Sequence, residues 1–244
     1  MLILGGSAHR LSIDIDIICP PGTDIEPYLK DIEKFGFISK TLEERQQRDT
    51  NVPKSHSKFF YHIAYKNDEK PAYILLDVLY EDLQYHAIEE VEIKGPFIEL
   101  DGDPLKVTVP SADDILGDKL TAFAPNTSGI PYVKGGRDCS LEIIKQLYDV
   151  GRLFEHTDNF LHTKETFTQI GKIELQYRGL PTDLSLIYED IRETALCLAT
   201  RGQMGKGDFK MLQNGIKKID GYIYKGKYRI EDAIIDSARA AYLA

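Results

Sequence analysis

Ser12-Ile13-Asp14-Ile15-Asp16-Ile17-Ile18 is the stretch on which the fold turns. In an extended strand, successive side chains point to opposite faces. Ile13, Ile15 and Ile17 therefore face one way, and Ser12, Asp14 and Asp16 the other. The two carboxylates stand roughly 7 Å apart along that face, and their hard oxygens suit a shared divalent cation such as Mg²⁺. Aspartate is a poor strand former. Two aspartates inside an isoleucine run, directly after Gly5-Gly6-Ser7, read as a metal site in preference to an ordinary polar strand face. The Gly-Gly-Ser turn follows a short apolar strand, Met1–Leu4. Its backbone N–H groups and the Ser7 hydroxyl can cradle a triphosphate, which makes Gly6 and Ser7 nucleotide-binding candidates.

Working outward, a third carboxylate stands in Tyr73-Ile-Leu-Leu-Asp77-Val-Leu-Tyr80. A carboxylate in so apolar a strand needs a partner charge or an ion. Asp77 is therefore the candidate to complete a two-metal site, as a ligand or as the group that takes a proton from an attacking hydroxyl. The first part of the chain is rich in strand patterns: Met1–Leu4, Ser12–Ile18, Lys58–Tyr65, Ala72–Tyr80, Phe97–Leu100 and Leu105–Val109. Ile25, Tyr28, Leu29, Ile32 and Phe35 recur at helical spacing between the second and third of these.

From Ser111 the pattern turns helical. Ser111 with Asp114 resembles a capping box opening a helix to about Ala124. A Gly-, Pro- and Asn-rich loop, Pro125–Arg137, follows, and a second helix starts at Ser140 with Ile143, Leu147, Val150 and Phe154 on its apolar face. Further helices fit Thr182–Thr200, Asp208–Ile219 and Arg229–Leu243. The fold class is α+β: a mixed sheet with helices over 1–110, then a helical C-terminal domain over 111–244.

Two cationic positions complete the candidate list. Lys119 sits among apolar neighbours in Asp-Ile-Leu-Gly-Asp-Lys-Leu-Thr-Ala-Phe; by residue pattern alone it is a snorkelling surface lysine. Lys145, Asp149 and Arg152 lie at i, i+4 and i+7, which by itself describes an intrahelical salt-bridge ladder of small worth.

Among 244 residues, 42% are hydrophobic and 28% charged, as in ordinary globular proteins. No apolar run is long enough to span a membrane, and Cys19, Cys139 and Cys197 form no CxxC pair, so reduced thiols and a cytoplasmic setting are expected. The net charge of −9 hides an asymmetry. Residues 1–200 carry 21 basic and 34 acidic side chains, whereas 201–244 carry nine and five. Segment 201–229 places Tyr222, Tyr224 and Tyr228 among Lys225, Lys227 and Arg229 beside an apolar stripe of Phe209, Leu212, Ile216 and Ile219. A solvated amphipathic helix is the simpler account; a phosphate-tracking surface for an RNA end is the other.

Gly5-Gly6-Ser7 followed by His9-Arg10-Leu11-Ser12-Ile13-Asp14-Ile15-Asp16 resembles the first motif of the DNA polymerase β-like nucleotidyltransferases. Its wording is similar to that of the AbiEii/MenT toxin branch. Ile115-Leu-Gly-Asp-Lys119-Leu-Thr-Ala and Ile144-Lys-Gln-Leu-Tyr-Asp149-Val resemble that branch's helical lysine motif and its later Lys-Asp-Leu-Tyr-Asp-Leu motif. The resemblance implies an N-terminal nucleotidyltransferase sheet and a helical C-terminal domain. Asp14, Asp16 and Asp77 would bind Mg²⁺, two ions being expected, and Gly6, Ser7, Lys119 and Lys145 would hold the nucleotide. Asp14, Asp16, Asp77, Lys119 and Asp149 would form the catalytic set. It also implies a toxin of a toxin–antitoxin or phage-defence system, with an NTP substrate, an RNA acceptor such as the tRNA 3′ end, and a cognate antitoxin. Transfer to a small cationic molecule such as an aminoglycoside, or nucleotide or RNA binding without transfer, are the alternatives. Only six residues separate Ser7 from Asp14, a shorter gap than the family's usual ten or so.

Overall fold

The computed structural model describes residues 10–12, 14–43, 53–63, 70–95 and 99–244. The chain divides into two compact units, Ser12–Leu83 and Met1–Leu11 with Gln84–Ala244. The expected strand Met1–Leu4 and the Gly5-Gly6-Ser7 turn lie outside the described residues.

In the smaller unit, β1 (Asp14–Cys19), β2 (Ser39–Glu43), β3 (Lys54–Tyr61) and β4 (Ala72–Tyr80) form a sheet in the order β1-β4-β3-β2. β1 runs parallel to β4, and β4, β3 and β2 are antiparallel. The mixed sheet read from the sequence is therefore present. Register sets its faces. Phe59 and Val78 are buried on one face, where the Phe37 ring packs 5.5 Å from Phe59 and edge-on to Tyr61. The carboxylate pair stands on the other.

The helical spacing of 25–35 does not give a continuous helix. Two 3₁₀ turns, Glu26–Leu29 and Ile32–Phe35, take its place. Pro27 stands in the first turn, and Asp31 adopts φ 58°, a left-handed conformation that no helix continues through. Tyr28 and Phe35 are mostly exposed, so the apolar spacing there has no core to face.

In the larger unit, β5 (Ile88–Glu92) and β6 (Lys106–Pro110) form an antiparallel hairpin, and a two-residue ribbon, β7 (Val133–Lys134) with β8 (Arg137–Asp138), occupies the end of the expected loop. Around a common apolar core pack α1 (Ala112–Ala122), α2 (Ser140–Phe154), α3 (Phe160–Tyr177), α4 (Ser185–Ala199), α5 (Phe209–Ile219) and α6 (Ile230–Leu243). Ile143, Leu147, Ile187, Ile191, Leu212 and Ile219 are fully buried in it.

The Ser111 cap forms as expected. The Asp114 N–H donates to Ser111 Oγ, which in turn donates to the Asp114 carboxylate at 2.6 Å. That carboxylate also accepts the His86 and Ala87 N–H groups and the Thr166 hydroxyl, so one side chain ties the approach to β5, the start of α1 and the middle of α3. Gly117 explains how closely α1 and α3 approach. A Cβ there would lie 2.5 Å from the Thr163 carbonyl and 2.9 Å from the Phe167 nitrogen. The α3 helix itself has no strong apolar period, because its buried face is largely Thr163, Thr166 and Gly171.

Candidate functional site

Alternation along β1 puts Asp14 and Asp16 on one face, with Ile15 and Ile17 opposite. Both carboxylates are exposed; Ile15 is 50% exposed, so the isoleucine face of this strand is not sealed core. Asp16 and Asp77 are Cα partners across the parallel β1–β4 pair, and Asp77 and His56 across the antiparallel β4–β3 pair. Asp16, Asp77 and His56 therefore stand abreast in one row, with Asp14 one row along beside Leu75 and Lys58. The sheet thus brings together the three carboxylates expected from the sequence. His56 was not singled out there, since an isolated histidine in a strand carries no signal until its cross-strand neighbour is known. Its Nδ1 lies 2.7 Å from Asp77 Oδ1. Lys54 and Lys58, two residues either side of His56, share its face.

Among the described residues, no group of three or more His, Cys, Asp and Glu side chains converges closely enough to hold a metal ion alone. Mg²⁺ is usually held by one or two carboxylates together with substrate phosphates and waters, without a dedicated protein cage. Asp14, Asp16 and Asp77 on one sheet face offer such hard oxygen donors, and their chemistry fits the cation.

The remaining candidates lie on helices of the larger unit. Lys119, partly exposed on α1, makes no hydrogen bond or ion pair among the described residues. Neighbouring Asp118 accepts the Tyr85 hydroxyl at 3.2 Å. On α2, Lys145 Nζ sits 3.8 Å from the centre of the Tyr222 ring. Asp149 is held from outside its own helix: Arg10 Nε and Nη2 donate to its two oxygens at 2.9 and 2.7 Å. Arg10 is 8% exposed, so this two-pronged ion pair is shielded from water. The adjoining backbone is tied as well, with Leu11 N–H donating to the Tyr222 carbonyl and Arg10 bridging to Ile223. Sequence reading passed over Arg10 because its partner lies 139 residues away.

Arg152, the third residue of the spacing on α2, reaches Asp236 of α6 and Glu155. Asp236 also accepts the Tyr228 hydroxyl and Arg239 Nη1. Burial pushes the Asp236 carboxyl above its ordinary pKa, against the opposing pull of Arg152, the Tyr228 hydroxyl and Arg239. This narrows the basic segment. Tyr228 is buried with its hydroxyl on Asp236 and offers no stacking face. Lys218 is engaged by Asp138, Lys206 by Glu189 and Arg201 by Glu231. Lys210, Lys217, Lys225 and Lys227 remain exposed. The stripe of Leu212, Ile216 and Ile219 is the buried face of α5, as its spacing predicts. Gly6 and Ser7, the expected triphosphate turn, lie outside the described residues. Cys19, Cys139 and Cys197 form no disulfide.

The family model described as nucleotidyl transferase AbiEii toxin, Type IV TA system, matches residues 1–215. Among solved structures, the crystal structure of JHP933 from Helicobacter pylori is similar, with a TM-score of 0.50 and 13% identity. The match covers 99% of this chain and 79% of that one, a likeness of fold. No curated protein matches the chain.

Proposed function

Because this chain belongs to the AbiEii family of nucleotidyl transferase toxins, we propose that it moves a nucleoside monophosphate from an NTP onto an RNA acceptor such as the tRNA 3′ end. The observation that carries the reading is the carboxylate face, on which Asp14 and Asp16 share a strand and Asp77 is the cross-strand neighbour of Asp16. In the transfer, the acceptor hydroxyl gives its proton to Asp77 or to solvent as its oxygen bonds to the α-phosphorus, the α–β bridging P–O bond breaks, and pyrophosphate leaves with that electron pair. Mg²⁺, held by Asp14, Asp16 and Asp77 and completed by substrate phosphates, would neutralise the triphosphate and acidify the attacking hydroxyl.

The chain's own residues supply the rest. Lys119 would bind the nucleotide phosphates, and its ammonium would offset charge developing on pyrophosphate. Gly6 and Ser7 would hold the triphosphate through backbone N–H groups and the hydroxyl, and Lys145 would add positive charge to the nucleotide site. Asp149 acts as a positioning residue. Its carboxylate holds Arg10, three residues after Ser7 and four before Asp14. Catalysis by this set is mostly positioning and electrostatics. Lys210, Lys217, Lys225 and Lys227 would track acceptor phosphates. No described helix is long and apolar enough to cross a membrane; we place the protein in the cytoplasm, where NTP, RNA and a cognate antitoxin would meet it.

Incubating the protein with labelled NTPs, Mg²⁺ and total tRNA tests the reading. Label on RNA supports it. Label that appears only on an added aminoglycoside would replace the acceptor with a small molecule, and RNA retention without any transfer would make the protein a binding module.

A further inference from the structure

On the carboxylate face, one side chain touches the site without having been assigned to it. His56 stands beside Asp77 in the antiparallel β3–β4 register, and its Nδ1 lies 2.7 Å from Asp77 Oδ1. A carboxylate can only accept, so Nδ1 is the nitrogen that carries the proton and donates it. The pair is partly shielded, with the imidazole 17% and the carboxylate 30% exposed. No hydrogen bond reaches Asp77 Oδ2 among the described residues.

An aspartate carboxylate turns about two side-chain torsions, and the second has a broad, shallow profile. A hydrogen bond to one oxygen removes that freedom and commits the other to a single direction. Lys54 and Lys58 stand two residues either side of His56 on the same face, so positive charge near the carboxylates survives loss of the imidazole, whereas the bond to Oδ1 does not. From this geometry we infer that His56 is a positioning residue for the cation site: it fixes the Asp77 carboxylate through Oδ1 and leaves Oδ2 as the oxygen offered to the divalent cation. The inference rests on the reading of Asp77 as the third carboxylate. Partners of this kind, which orient a metal-binding carboxylate, typically change metal affinity or activity 10- to 100-fold when removed.

The test uses the full chain with Mn²⁺ as the probe, its affinity read by electron paramagnetic resonance in the presence of a non-hydrolysable NTP analogue. Nucleotide transfer is measured in parallel. His56→Ala is expected to weaken Mn²⁺ binding about 10- to 100-fold and to lower kcat more than it raises the KM for NTP. His56→Asn, whose side-chain NH₂ can take the place of Nδ1–H, is expected to regain most of the affinity. Asp77→Ala controls for the underlying reading. If Asp77→Ala binds Mn²⁺ like the wild type, Asp77 is not a ligand, and both readings fall. If Asp77→Ala loses Mn²⁺ while His56→Ala keeps wild-type affinity, the inference alone is overturned. Should His56→Ala fail to fold by circular dichroism, His56→Phe, which keeps the ring's bulk and drops both nitrogens, is read in its place.

Discussion

Replacing Asp149 by alanine removes the two oxygens that hold Arg10 Nε and Nη2 at 2.9 and 2.7 Å. The guanidinium stays where it is, 8% exposed, with Nη1 still on the Leu11 carbonyl but without these two bonds. Breaking a buried pair by deleting one partner costs about 3–5 kcal/mol, most of it from the charge left behind. The Asp149 side chain is 17% exposed and the Arg10 side chain 10%, so some water reaches the site, and the lower end, ~3 kcal/mol, is the expected loss. For a chain of this size that corresponds to a fall in Tm of about 6–12 °C for the larger unit. Arg10→Met should cost a similar amount. The double variant Arg10→Met/Asp149→Leu removes both desolvation penalties and should return to within ~1 kcal/mol of the wild type. Urea unfolding followed by far-UV circular dichroism, arranged as a double-mutant cycle, reads all four proteins. Two outcomes refute the reasoning: single variants within ~1 kcal/mol of the wild type, or a double variant that costs the sum of the two.

Further measurements bear on other parts of the molecule. Asp14→Ala and Asp16→Ala should abolish transfer while shifting stability by no more than ~0.5 kcal/mol, since both residues are exposed; full activity in either would remove the metal assignment. Gly151→Ala should cost at least ~2 kcal/mol, because the new Cβ would lie 2.1 Å from Asp236 Cγ and push that buried carboxylate off Arg152, Tyr228 and Arg239; an unchanged melting temperature would contradict the close approach. At Asp114, burial raises the carboxyl pKa, but hydrogen bonds from Ser111, Thr166 and the His86 and Ala87 N–H groups outweigh it and leave the pKa below its ordinary 3.8. Its stabilisation is therefore complete above the unfolded-state pKa and lost as pH falls through the lower folded value. Asp114→Asn should lower stability near neutral pH and flatten the acid limb of stability against pH; an acid limb as steep as the wild type's would assign it to other carboxylates.

Much of the architecture could be read residue by residue. The alternation of 12–18 placed Asp14 and Asp16 together on one face, and the register of β1 against β4 agrees. Ser111 and Asp114 marked the start of α1, and the spacing of Leu212, Ile216 and Ile219 marked the buried face of α5. These signals were legible because each arises within a few residues, from strand or helix geometry alone. The α3 helix left no such signal, because it meets α1 through threonines and a glycine-allowed close approach. Conversely, the apolar spacing of 25–35 suggested a helix that Pro27 and the left-handed Asp31 prevent.

The polar pairings were the part that could not be read. His56 meets Asp77 across 21 residues, and Arg10 meets Asp149 across 139. Nothing local to either partner records such a bond. By itself the sequence determined the α+β class and the carboxylate face of β1, and it named the candidates for binding a cation and phosphates, since side-chain period and donor chemistry are local properties. Only the tertiary structure decided which of those groups are held and by whom. That choice belongs to strand register and helix packing, where a carboxylate's partner is whichever side chain the fold brings within about 3 Å.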